Sequence, residues 1–215
     1  MSEVTQIVLP PAAIDIAKKQ RALGAVLAIS RATNSLTLVR GPLLHDADDF
    51  SPQAARERFA ALFLAAAVLY EALNSAEELG DAYAGKASFD EGFGRLLADE
   101  KVSTFRERTL QRFRHKGVFH YDAGFFRKAI SRLHLEEHIV GIHASTTVAD
   151  TYISLSDDLL FDHLMGPFST DADKVSAWEA FMEELTDLMN EFLKASHRLV
   201  SMVLGELGAF RRPSV

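Results

Sequence analysis

Apolar residues recur every three or four positions from Ala12 to Val39, through Ile14, Ala17, Leu23, Val26, Leu27, Ser30 and Ala32. That spacing predicts a long helix over 12–39, ended near Gly41-Pro42, with a connecting loop over 43–50. Ser51-Pro52 follows, a capping hydroxyl and then a proline where the missing N–H has no intrahelical partner to lose. A second helix is predicted from there to Leu79, with Gly80 at its C-terminal end. It is rich in Ala and Leu and apolar nearly all round, the pattern of a central core helix. Its longest uninterrupted apolar run, Ala60 to Tyr70, is about half of the ~20 residues that span a bilayer.

Two further helices are predicted over 88–98 and 101–115, or one with a bend, and Asp122 is placed to cap a helix over 123–138. The stretch 139–153 holds Ile139, Val140, Ile142, Thr146, Thr147, Val148, Thr151 and Ile153. These β-branched residues favour a strand or irregular packing, with a helix as the alternative. Ser156 opens a short helix to Met165, broken by Gly166-Pro167. Thr170 or Asp171 opens a last long helix from about Ala172 to Leu207. Trp178, Phe181, Met182, Leu185, Leu188, Met189, Phe192 and Leu199 line it at helical spacing, as a core stripe or a dimer seam. The pattern as a whole predicts an all-α fold, a multi-helix bundle with four or more long helices, in one domain over 1–215. Helices 12–39, 51–79, 101–116 and 171–207 would form most of it.

Composition agrees and adds little: 48% hydrophobic and 25% charged residues suffice for a real core in a 215-residue chain. Cysteine is absent, which excludes disulfides and thiolate metal sites. Residues 1–10 lack the pattern of a signal peptide, so the expectation is a soluble, cytoplasmic protein that does not engage a membrane.

Charge changes the picture more. The net charge of −7 argues against coating by nucleic acid over the whole surface. Yet residues 101–132 hold nine Lys/Arg against Glu107 and Asp122, which leaves this segment +7 and the rest of the chain −14. A basic stripe on an acidic body reads either as a focused polyanion site or as a solvated helix face.

Within that stripe lies Arg114-His115-Lys116-Gly117-Val118-Phe119-His120-Tyr121-Asp122. An arginine and a histidine suit phosphodiester cleavage. The guanidinium is a fixed-charge fork for phosphate oxygens, and an imidazole exchanges protons near neutral pH. RNA supplies its own 2′-hydroxyl nucleophile, so neither a metal nor another cofactor is needed. On an ideal helix six residues turn through about 600° and rise ~9 Å, which points Arg114 and His120 roughly 120° apart. Gly117 loosening the turn, or a symmetric dimer pairing two motifs across one cleft, would bring them together. Otherwise Arg114 pairs with a carboxylate and His120 is structural.

These residues resemble the R-[polar]-x(3–4)-H motif of the HEPN superfamily (higher eukaryotes and prokaryotes nucleotide-binding), through Arg114, His115 and His120. The Phe119-His120-Tyr121 context is similar to bacterial HEPN-type proteins found near abortive-infection and toxin–antitoxin systems. The resemblance covers nine residues; elsewhere the chain is similar only in its all-helical class. It implies a homodimeric, metal-independent endoribonuclease with Arg114 and His120 catalytic. RNA would be left with a 2′,3′-cyclic phosphate and a 5′-hydroxyl. Arg112, His115, Lys116 and Tyr121 would bind substrate, and a cognate antitoxin would be a protein partner. The superfamily also contains inactive members, so the same residues fit a non-catalytic module that binds a nucleotide, an RNA or a protein.

Two other constellations compete. His134-Leu135-Glu136-Glu137-His138 is similar to the H-x-x-E-H helix of inverted zincins, with the two histidines on one helical face. Glu206 is the glutamate at a suitable distance for a further ligand. His134, His138 and His143 alternatively form a structural metal site, or the segment is simply a polar helix face. Finally, Glu71 and Tyr70 adjoin the most apolar run, where burial would raise a carboxyl pKa and favour acid–base chemistry, unless Glu71 pairs with an arginine. Gly92-x-Gly94 lacks a preceding strand and a third glycine, and carries no phosphate-loop reading.

Overall fold

The computed structural model describes residues 6–8, 10–17, 21–44, 51–118, 127, 142–143, 152–166, 168–208 and 210–212. The fold is all-α, with short paired strands as its only described extended elements. In chain order these are β1 (Gln6–Val8), α1 (Pro11–Ala17), α2 (Arg21–Leu44), α3 (Pro52–Glu77), α4 (Gly80–Tyr83), α5 (Ala87–Phe89), α6 (Arg95–Ala98) and α7 (Glu100–Phe105). β2 (Ile142–His143), β3 (Tyr152–Ile153), α8 (Ser154–Met165), α9 (Asp171–Glu206) and β4 (Phe210–Arg212) follow. A π-helical turn, Asp90–Gly94, joins α5 to α6, and two more, Arg106–Leu110 and Phe113–Val118, extend α7.

Local chemistry accounts for most boundaries. Ser51 Oγ accepts a hydrogen bond from the Ala54 N–H at 3.2 Å, the predicted cap of α3. Thr170 is the residue that opens α9: its Oγ1 accepts from Asp173 N at 3.1 Å, while Asp173 Oδ2 accepts from Thr170 N at 3.0 Å. That reciprocal pair is a capping box. Asp99 is extended (φ −75°, ψ 117°), so α6 and α7 are two helices rather than one bent helix.

Several boundaries differ from the expectations. The helix predicted to end before Pro42 runs through it to Leu44, so 43–44 are helical and not loop. Pro42 sits in the last turn, where its ring faces Leu38 of the preceding turn, a residue 76% exposed. Gly80 does not end the second helix but begins α4; the left-handed glycines are Gly85, at φ +84°, and Gly208, at φ +69°. The strand reading of 139–153 holds for its described residues, where Ile142 pairs with Ile153 and His143 with Tyr152. β1 and β4 pair antiparallel, Gln6 with Arg212 and Val8 with Phe210. Three-residue strands are too short to leave a period in the sequence. The helix expected over 123–138 lies outside the described residues apart from helical Arg127.

The π turns leave no signal in the 3.6-residue periodicity, and one has a clear cause. Phe105 and Leu110 are both buried. Five residues on an α-helix turn through about 500°, which sets such a pair ~140° apart. An i→i+5 turn between them brings both to one face.

The chain divides into two compact units. The first comprises 1–34, 71–102 and 190–215. Its core includes Ile29, Leu73, Leu79, Phe93, Phe192 and Leu199, all with no exposure, and Phe93 meets Phe192 edge-on at 5.4 Å. Gly92 lets its own helix approach α9: a Cβ there would lie 3.3 Å from both Cα and Cβ of Ala195.

The second unit comprises 35–70 and 103–189. An aromatic cluster holds it. Phe113 stacks on Phe181 with centroids 4.8 Å apart and planes 10° apart. Phe63 and Phe105 approach the same pair at 5.5 and 5.8 Å, and Phe161 bridges Phe181 to Trp178. Each such contact contributes about 0.5–1.5 kcal/mol beyond the area it buries.

The apolar stripe of α9 is therefore core: Phe181, Leu185, Leu188, Met189, Phe192 and Leu199 are all buried within the chain. α3 is a core helix as expected, with Leu62, Ala65, Ala66, Leu69, Leu73 and Ala76 fully enclosed. On α2 the buried side is Val26, Ile29, Leu36, Val39 and Leu43, while Leu27, placed in the predicted stripe, is 62% exposed. By length and composition alone, two helical stretches, Ala22–Leu44 and Gln53–Glu77, suffice to cross a membrane. The second extends beyond the 11-residue run that the sequence pattern isolates, because Glu71 is the one charged residue between Phe59 and Ala76.

Candidate functional site

The helical stretch from Glu100 to Val118 carries the described part of the basic stripe apart from Arg127. Lys101, Arg108, Arg112 and His115 are exposed, and Arg106 and Arg114 are half-buried. Phe105, Leu110 and Phe113 occupy the opposite, enclosed side. Alternation of aromatic anchors with basic residues thus fixes which face the cations present.

At the end of this stretch the π turn Phe113–Val118 holds Arg114 and His115. Arg114 Nη1 lies 3.1 Å from His115 Nδ1. The His115 ring meets the ring of Tyr70, from α3, with centroids 6.0 Å apart and planes at 65°. Two residues from the predicted motif and one from the apolar second helix are thereby brought together. Tyr70 enters as a neighbour of the motif rather than as half of a separate acid–base site. Its companion Glu71 is exposed.

Arg112 is directed toward α8, where its Nη2 donates to the His163 carbonyl at 3.2 Å. A cation at the last turn of a helix meets carbonyls that lack intrahelical partners. His120 and Tyr121, the side chains of Lys116 and His143, and all of His134, Glu137 and His138 lie outside the described residues. Among the described residues no group of three or more His, Asp or Glu is arranged to hold a metal ion. Glu206, the distant ligand of the zincin reading, forms a salt bridge with Lys86.

A second charged cluster, which sequence reading missed, lies in the first unit. Glu91, Arg95, Leu96, Glu191, Lys194 and Arg198 line a groove of about 160 Å³ floored by Gly92 and Ala195. Glu191 accepts from Lys194 Nζ at 2.7 Å and from Arg95 Nη2 at 2.8 Å. The Lys194 hydrogen bond holds the Glu191 carboxyl below its usual range, against a smaller opposing effect of burial. The i,i+3 spacing of Glu191 and Lys194 was the available signal. Lys86 also lies 5.1 Å over the Tyr83 ring. Burial, reinforced by Glu206 and opposed by Lys86, raises the Tyr83 phenol above its ordinary value.

Comparisons of the chain with protein-family models, with characterised proteins and with solved structures return no match.

Proposed function

We propose that the protein is a HEPN-like, metal-independent endoribonuclease, with Arg114 binding the scissile phosphate and His120 exchanging the proton. The observation that carries this reading is the exposed basic face ending in the Arg114–His115 contact. A polyanion drawn to Arg108 and Arg112 would be led along the helical stretch to the arginine of the motif. The guanidinium would then stabilise charge on the phosphate as the 2′-oxygen attacks and the 5′-oxygen leaves.

The active form in this reading is a homodimer that places two motifs at one cleft. Leu38, 76% exposed on α2, would be one contact of a seam with a second copy. The setting is cytoplasmic, with a cognate antitoxin as a further partner.

The test is RNA cleavage in the presence of a chelator. Wild-type protein is expected to yield 2′,3′-cyclic phosphate ends. His120→Ala is expected to lose roughly 10²–10⁴-fold of the rate, the usual contribution of a general acid or base. RNA binding without cleavage that depends on His120 would replace the enzyme reading with the non-catalytic, HEPN-like binding module. Absence of both would remove RNA as the ligand.

A further inference from the structure

A guanidinium has five N–H donors and no acceptor. The contact between Arg114 Nη1 and His115 Nδ1 is therefore a hydrogen bond only if Nδ1 accepts, which places the imidazole proton on Nε2 and leaves the ring neutral. The ring is also held from the side, by the angled Tyr70 ring of α3. The backbone beneath is anchored in turn, because the preceding residue, Phe113, is fully enclosed and stacked on Phe181.

We propose that Tyr70 and His115 are positioning residues for Arg114. Tyr70 sets the plane of the His115 ring, and neutral His115 sets the plane of the guanidinium through Nη1. Arginine binds phosphate best as an oriented planar fork, and a side chain held in one orientation beforehand loses less rotamer freedom on binding. This rests on the ribonuclease reading for its consequence, but not for its geometry.

Two measurements test it. The first is long-range 1H–15N correlation on protein labelled at histidine nitrogens, at a pH where His115 is neutral. The expected result is an unprotonated, hydrogen-bonded Nδ1 and a protonated Nε2, with the Nδ1 signal moving in Arg114→Met and in Tyr70→Leu. A proton on Nδ1 in the wild-type protein overturns the proposal.

The second compares RNA cleavage by His115→Asn, whose amide oxygen can accept from Arg114, with His115→Leu, which cannot. His115 is exposed, and a thermal melt checks that both variants fold. Loss of a charge-assisted hydrogen bond is expected to lower kcat about tenfold in His115→Leu, with KM little changed, and His115→Asn should recover most of it. Equal loss in both variants overturns the relay while leaving the ribonuclease reading intact. If the wild-type protein cleaves no RNA, that reading fails, and the nitrogen spectra decide the positioning proposal alone.

Discussion

Thr33 and Ser196 place their hydroxyl oxygens 2.5 Å apart, joining α2 to α9 inside the first unit. Thr33 already donates to the Ile29 carbonyl at 2.9 Å, so its single proton is spent and Ser196 must be the donor between them. Ser196 is 1% exposed, so water does not replace a lost partner. The two truncations should therefore differ. Ser196→Ala removes a donor whose acceptor still has another bond, costing about 0.5–1.5 kcal/mol. Thr33→Val strands a buried hydroxyl and should cost more, about 1–3 kcal/mol. Urea denaturation of both variants checks this order; equal losses would mean that Ser196 finds another acceptor.

Gly166 and Gly92 look alike in sequence but not in space. A Cβ at Gly166 would lie 2.5 Å from the Asp162 carbonyl oxygen and 3.2 Å from Phe168 N, both backbone atoms that cannot swing aside. Gly166→Ala is expected to lower stability by more than ~1 kcal/mol. Gly92→Ala meets Ala195 at 3.3 Å, and the helix propensity gained, up to about 1 kcal/mol, offsets much of the crowding. Thermal melts should rank Gly166→Ala well below Gly92→Ala.

Acidification should weaken the Glu191 cluster. A carboxyl whose folded pKa is depressed contributes stability above its unfolded value, ~4.3 for glutamate, and loses it as pH falls through the folded value. Carboxyl 13C titration should place Glu191 below the ordinary range. Lys194→Ala should raise its pKa more than Arg95→Ala does, because the Lys194 hydrogen bond is the larger cause. A titration unchanged by Lys194→Ala would refute that assignment. The stability at stake is small, since these side chains are largely exposed.

If the basic face binds RNA, its exposed cations should be countable from salt dependence. Each phosphate contact to a single strand contributes about −0.7 to the slope of log K against log[salt]. Lys101→Gln and Arg108→Gln, each carrying an exposed cation, should flatten that slope by about this amount per substitution and weaken binding uniformly across sequences. Unchanged slopes would place the polyanion elsewhere.

Much of this molecule is legible along the chain, because the signals that write it are local. Capping by Ser51 and Thr170, the apolar stripe of α9 and the all-round apolar surface of α3 depend on residues within a few turns of one another. So does the concentration of positive charge after residue 100. The Arg114–His115 pair is likewise adjacent in sequence.

What the tertiary structure decided involves residues that the chain does not bring together by itself. No local pattern announces that Tyr70 meets His115, that Arg112 reaches the end of α8, or that Leu27 faces outward while Val26 turns in. Nor does the sequence show that α2 continues through Pro42 to Leu44. The π turn after Phe105 depended on two aromatic and aliphatic anchors five residues apart sharing one core. Local sequence determines where caps such as Ser51 and Thr170 open helices, and which charges those helices carry. Packing determines which face is buried, and therefore which of those charges a ligand can meet.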